Sequence, residues 1–276
     1  MRKRNECLLL AVVLFLGIRV FINERNAHVV SKVPQRDITT ILAKDHFSEE
    51  DYHILLLQTG LGKTAVDDLR QKNDCFLEDM LEFQNQYFSP VHYRREFMFP
   101  TAREERLVYE NGNPRTIKFA PVRDGDIIIT RATHTMLWRH GHAAIVTDAQ
   151  QEETLESVML GQESSFQTLD KWRGYPSILI LRAKNETVGR KAAEYAKEHL
   201  AAVDYNPFVG IKKKDKHNEE LIDSTQCAHL VWQAYQAVGV NTDANDGWLV
   251  LPRDIANSTE LEIVQIYGFL PRNPLW

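Results

Sequence analysis

From about residue 115 the chain changes period, and that change limits its fold more than any other feature. IKFAPV (117–122), DIIIT (126–130), HAAIVTD (142–148), TLESVML (154–160) and SILILRA (177–183) are short β-rich runs cut by Gly, Asp and Pro, the pattern of separate strands. A helical run, TVGRKAAEYAKEHLAA (187–202), follows, and a second begins near Ser224. Strands and helices in separate blocks predict an α+β domain over 115–276. With 276 residues, 43% of them apolar and 26% charged, the chain can bury a substantial core. It contains no internal repeat.

Residues 46 to about 90 read as helical. QTGLGKT (58–64) looks like a phosphate-binding loop, which needs a buried strand, then glycines whose N–H groups surround the phosphates, then a helix carrying Lys and Thr. Leu57, however, stands where that pattern wants a small residue. Ser48-x-x-Asp51 predicts a helix N-terminal box with Phe47 and Tyr52 as its hydrophobic staple, so 49–58 form a helix. Gly60 suits its left-handed cap. Thr64-x-x-Asp67 then starts a second helix carrying Val66, Leu69, Phe76 and Leu77. QTGLGKT is on this reading the turn of a helical hairpin, and no nucleotide is expected. SPVHYRREFMFPTAREER (89–106) reads as a connector and 28 to about 45 as a polar stalk, which makes 28–114 a stalk plus helical appendage.

At the N-terminus Arg2, Lys3 and Arg4 precede the apolar run from Cys7 to Ile18, the layout of an export signal. Arg19 interrupts that run before Val20, Phe21 and Ile22, leaving it short of the roughly 20 residues of a membrane span. Arg25, two places before Ala27, spoils a small-x-small cleavage site. Residues 1–27 are therefore expected to be an uncleaved signal anchor, with a cleaved signal peptide as the alternative, and the remainder to be extracytoplasmic. A net charge of −5 and a pI near 6.1 leave no basic footprint for nucleic acid. The lysines at 212–214 and 216, followed by Glu219 and Glu220, read as a solvated loop. Of three cysteines, Cys7 lies in the signal segment, so Cys75 and Cys227 are left as one disulfide or two free thiols.

Cys227 lies in DSTQCAHLVWQAYQAVG (223–239), where Cys227, Leu230, Val231, Ala234, Tyr235 and Val238 share a helical face and Gly239 ends the helix. With Asp223 or Ser224 as N-cap the thiol falls in the first turn, where unpaired N–H groups and the helix dipole favour a thiolate. A buried core cysteine has the same pattern. WRHGHAAIVTD (138–148) sets His142 at the start of a strand, and Glu156 lies on the next one. An imidazole facing the first turn of a Cys helix, its tautomer fixed by a third polar group, is the arrangement of a thiol hydrolase. His134, His140 and His142 also form H-x5-H-x-H, and three imidazoles on a strand could hold zinc, but no carboxylate or thiol is spaced to complete the site. No metal or other cofactor is expected.

GDIIIT, THTMLWRHGHAAIVTD, TLESV and TQCAHLVWQAYQAVGVNTDANDGWLVLPRDIANS together resemble the permuted papain-like amidases of the YiiX/YaeF type, distant relatives of NlpC-like cell-wall peptidases. The order His, Glu, Cys marks the permutation. The likeness covers about 115 to 276, and HFSEEDYHILLLQTGLG looks like the helical leader of Gram-positive members. It implies a circularly permuted papain-like domain with Cys227 as nucleophile, His142 as base and Glu156 as its orienting residue. The implied activity is cleavage of an amide through an acyl-enzyme, with peptidoglycan stem peptides as substrate. Thioester or acyl-transfer chemistry on lipids, and a non-catalytic cell-wall binding module, are the alternatives. Ala228 stands where such members often have Ser, and the oxyanion site is assigned no further than the Cys227 backbone N–H.

Overall fold

The computed structural model describes residues 27–72, 75–136, 138–209 and 223–269, so nearly all of the segment expected as a signal, up to residue 26, and the lysine run 212–216 lie outside the described residues. No helix among the described residues is long and apolar enough to cross a membrane.

After a single turn, α1 (Thr39–Leu42), α2 (Glu49–Thr59) starts at the expected box. Ser48 Oγ accepts the Asp51 N–H, and the Asp51 carboxylate accepts the Ser48 N–H. The next helix is shorter than expected. α3 (Lys63–Lys72) stops before Phe76 and Leu77, which open a separate helix, α4 (Phe76–Phe88). Asn73 and Asp74, residues that favour turns over helix, stand between them in sequence.

Residues 89–106 are not a connector. They form most of a hairpin, β1 (His92–Phe99) and β2 (Ala102–Val108), with Pro100 in its turn, where no ladder N–H is needed. The chain continues through β3 (Ile127–Thr130), β4 (Thr133–Thr135), β5 (Trp138–Arg139), β6 (His142–Asp148), β7 (Glu153–Glu156) and β8 (Ser165–Thr168). Then come α5 (Leu169–Arg173), β9 (Ile178–Ala183), α6 (Glu186–His199), β10 (Asp204–Tyr205), β11 (Ser224–Thr225), α7 (Cys227–Gln236), α8 (Pro252–Ala256) and β12 (Leu261–Tyr267). IKFAPV, expected as a strand, is extended chain without a ladder: Ile117 N–H bonds to Arg173 O and Ala120 N–H to Gln265 Oε1.

This is a mixed α+β fold. Its largest sheet has the order β12-β9-β3-β6-β7-β8, all neighbours antiparallel, and a second antiparallel sheet runs β1-β2-β4-β5. The strands of the large sheet read as near-continuous apolar runs because both faces are covered. Ile128, Ala144, Ile178, Ile180 and Val264 pack with Leu55, Val66, Met80 and Phe83 of α2 to α4. Ile127, Ile129, Ala143, Ile145, Leu179 and Leu181 pack with Ala192, Ala196, Leu230, Val231 and Ala234 of α6 and α7. The N-terminal helices are thus one of the two layers the sheet requires, not an appendage. A buried ion network ties them down: Arg182 on β9 meets Asp68 of α3 at 3.0 Å and Asp126 at 2.7 Å. The segment expected as a polar stalk is also packed, with Ile38 fully buried and Leu42 7% exposed.

The glycines of QTGLGKT serve the approach of this layer to β12. Gly60 is left-handed at φ 73°, and its carbonyl accepts from Ile266 N–H at 2.7 Å. Gly62 N–H donates to Val264 O at 2.9 Å, and a Cβ on Gly62 would lie 1.7 Å from Ile263 O. Gly60 N–H itself donates to Leu56 O, so both glycine amides are already in use within the fold.

Candidate active site

Strand β11 runs straight into the helix of Cys227. Ser224 and Thr225 pair in parallel with Asp204 and Tyr205, so the chain is still extended at Gln226, and Gln226 is the N-cap rather than Asp223 or Ser224. Its Oε1 accepts the Ala228 N–H at 3.0 Å and the Cys227 thiol at 3.3 Å, while its Nε2 donates to Val250 O at 2.6 Å. Cys227 lies in the first turn, as expected, but as its very first residue because the cap falls at Gln226, and it is only 8% exposed. Cys75 is exposed, and the two do not form a disulfide. The helix buries more than one stripe: Ala228, His229 and Trp232 are buried along with Leu230, Val231, Ala234 and Tyr235.

His142 opens β6 after the left-handed turn at Gly141 (φ 75°). The ladder sets Leu155 across from Ile145, which brings Glu156 beside Ala144, with His142 two residues along the same face. His142 Nε2 is 2.8 Å from Glu156 Oε2, and the Cys227 thiol is the other hydrogen-bond partner of the imidazole. With Nε2 taken, Nδ1 is the nitrogen left for sulfur. Burial pulls the imidazole down, but hydrogen bonds to Cys227 and Glu156, and their charges, outweigh it and lift His142 from 6.5 to about 9. At neutral pH the cation is therefore the stable form beside the sulfur.

Glu156 is fully buried and surrounded by donors. Oε2 takes His142 and Lys171 Nζ (2.7 Å), and Oε1 takes Trp172 Nε1 (2.7 Å) and Thr154 Oγ1 (3.1 Å). Burial alone would raise this carboxyl, but His142 and Lys171 together hold it down at about 2. Trp172 has a second contact: its ring stacks on His142, centroids 5.3 Å apart and planes 7° apart.

The sequence pointed to Cys227, His142 and Glu156, and the fold brings all three together. It did not point to Lys171 or Trp172, since α5 is a five-residue helix with no motif of its own, nor to Thr154, which shares β7 with Glu156. Tyr205 was also missed. It pairs with Thr225, two residues before Cys227, and burial followed by the charge of Cys227 pushes its phenol upward. A tyrosine upstream of the Cys helix was the signal available.

The three histidines weighed as zinc ligands face different partners. His134 points at Glu105 (3.2 Å), while His140 Nδ1–H donates to Gly141 O (2.6 Å) and its Nε2 accepts from Thr135 Oγ1 (3.0 Å). His140 is held down at about 4 chiefly by burial. It does not share a strand face with His142, because β5 ends at Arg139 and Gly141 turns the chain before β6. Among the described residues no three His, Cys, Asp or Glu side chains converge as ligands of one metal ion.

Set against known proteins, the chain matches no family model, no curated protein and no solved structure.

Proposed function

We propose that this chain is an exported cysteine hydrolase that cleaves amide bonds through an acyl-enzyme, on a circularly permuted papain-like fold. The observation that carries this reading is the chain of contacts from the Cys227 thiol through the His142 imidazole to the saturated Glu156 carboxylate. In the reaction Cys227 Sγ attacks the carbonyl carbon as the thiolate. The developing oxyanion is met by the Cys227 backbone N–H at the start of α7 and by the Tyr205 hydroxyl. His142 gives its proton to the departing amine nitrogen, the C–N bond breaks and a thioester remains. Water then attacks the thioester with His142 as base, the C–S bond breaks, and the acid product leaves as the thiolate reforms. Glu156 fixes the ring and stays ionised.

The likeness of the His142, Glu156 and Cys227 motifs to permuted papain-like amidases supports stem peptides of peptidoglycan as substrate, and the charged-then-apolar N-terminus supports a membrane-anchored, extracytoplasmic place. A second reading, acyl transfer or thioester hydrolysis on lipids, uses the same triad and is favoured by exposed Met136 and Trp138 on the stretch that leads to His142. Mass spectrometry of purified muropeptides and of diacyl lipids after incubation with the full chain tests both. New amine and acid termini in muropeptides, absent with Cys227→Ala, support the first; fatty acid or transferred acyl groups support the second. Intact substrates of both kinds overturn the enzyme assignment.

A further inference from the structure

Four large apolar side chains stand exposed at the ends of two adjoining hairpins. They are Phe97 (73% exposed), Met98 (41%), Met136 (65%) and Trp138 (57%). The hairpins are joined in one sheet: Ala102 pairs with Thr135, Met136 N–H donates to Thr101 O at 2.6 Å, and Arg103 donates to Met136 O at 2.7 Å. Arg103 also lies over the Phe97 ring, 5.9 Å from its centroid. These side chains expose on the order of 500 Å², the size of patch that monomers keep for binding.

The same sheet receives the chain from the N-terminal segment. His28 Nε2 sits 2.5 Å from Glu105 Oε2 on β2 and its ring meets Tyr93 of β1 at 4.8 Å, while Val29 N–H is bonded to Gly268 O. Ala27 is 1% exposed, so no free tether follows it. The stretch from Ile22, the last of the three apolar residues beyond Arg19, to Ala27 covers at most about 18 Å even when fully extended. Tyr93 is only about 13 Å along β1 from Phe97. An anchored run would hold this sheet at the bilayer, with its apolar ends in reach of the headgroups.

We propose that the hairpin ends bearing Phe97, Met98, Met136 and Trp138 insert into the surface of the lipid bilayer that holds the N-terminal segment. This rests on the anchored placement proposed above. Trp at the headgroup level and an Arg whose stem lies on apolar surface while its head reaches phosphate suit that depth. A second copy of the chain is a poorer occupant, since a stable dimer needs about 800 Å² from each partner. Because Trp138 and His142 lie on one continuous stretch, docking would hold the Cys227 site at the membrane face.

The full chain is reconstituted in phosphatidylcholine vesicles with brominated acyl chains, and tryptophan quenching is read beside flotation. Wild type is expected to float and to be quenched. Trp138→Tyr should lose most of that quenching, whereas Trp248→Tyr, also exposed, should keep it. Phe97→Ser with Met136→Ser, folded by circular dichroism, should lower Trp138 quenching at least twofold. A chain that floats while wild type and Trp138→Tyr are quenched equally overturns the docking surface and leaves the anchor standing. A chain that neither floats nor is quenched overturns both. Crosslinking between copies at the hairpin ends, without quenching, assigns the patch to self-association and overturns the proposal.

Discussion

His142 Nε2 lies 2.8 Å from Glu156 Oε2, and the same oxygen also accepts Lys171 Nζ at 2.7 Å. An amide in place of this carboxylate has one oxygen for four donors, so its NH2 must face at least one N–H or O–H group. Glu156→Gln is therefore expected to lower kcat about 10²–10⁴-fold by disordering the imidazole. Cys227→Ala and His142→Ala should remove nearly all turnover, and combined losses should fall far short of additive because the three act on one step. Steady-state kinetics of the single and double variants checks this; additive losses would separate the residues.

Trp172 both donates to Glu156 Oε1 and stacks on His142. Trp172→Phe keeps a ring on the imidazole but removes the charge-assisted bond, which is expected to cost about 1.5–3 kcal/mol of stability. Urea denaturation measures the loss. An unchanged midpoint would mean that Thr154 and Lys171 satisfy Glu156 without it.

Cys227 and Glu156 raise His142 to about 9, so the cationic ring contributes stability that is complete below about 6.5 and is lost as pH rises through 9. Glu156, held at about 2, contributes above its unperturbed 4.5 and loses that as pH falls through 2. Removing the sulfur takes away one of the two groups that support the cation. In Cys227→Ala the His142 ring-proton NMR titration should shift to lower pH, and the stability advantage of wild type over this variant should shrink between pH 6.5 and 9. A titration midpoint that stays near 9 would assign the shift to Glu156 alone.

Gly62→Ala would drive a Cβ into the Ile263 carbonyl, 1.7 Å away, where backbone must give. A loss of at least about 3 kcal/mol is expected. Lys63, whose ammonium lies 3.7 Å from the Tyr52 ring centroid and 3.5 Å from Glu49 Oε1, makes only exposed contacts, and Lys63→Ala should cost about 0.5–1 kcal/mol. Neither the wild type nor Lys63→Ala should bind ATP in calorimetry. Micromolar binding lost in Lys63→Ala would restore the phosphate-loop reading.

Local chemistry was readable where neighbours in sequence decide the structure. Ser48 and Asp51 start α2, Gly60 ends it, and the runs around Ile128, Ile145 and Ile180 are strands, because capping and apolar periodicity act within a few residues. His142 at a strand start, Glu156 on the following strand and Cys227 at a helix start were legible for the same reason. Where the partner lies far along the chain, the sequence was silent or misleading. The hairpin at 92–108 looked like a connector because its charged residues Glu105 and Arg95 find partners only in the folded sheet, and Glu105 is fully buried against Arg139. Residues 28–45 looked like a stalk because the sites that bury Ile38 and His28 are built from distant elements. Gly60 and Gly62 suggested a phosphate loop, yet what they accommodate is β12, some 200 residues later. Lys171, Trp172 and Tyr205 reach the site through α5 and the β10–β11 pair, and strand register and packing between distant elements, not any local motif, carry them there.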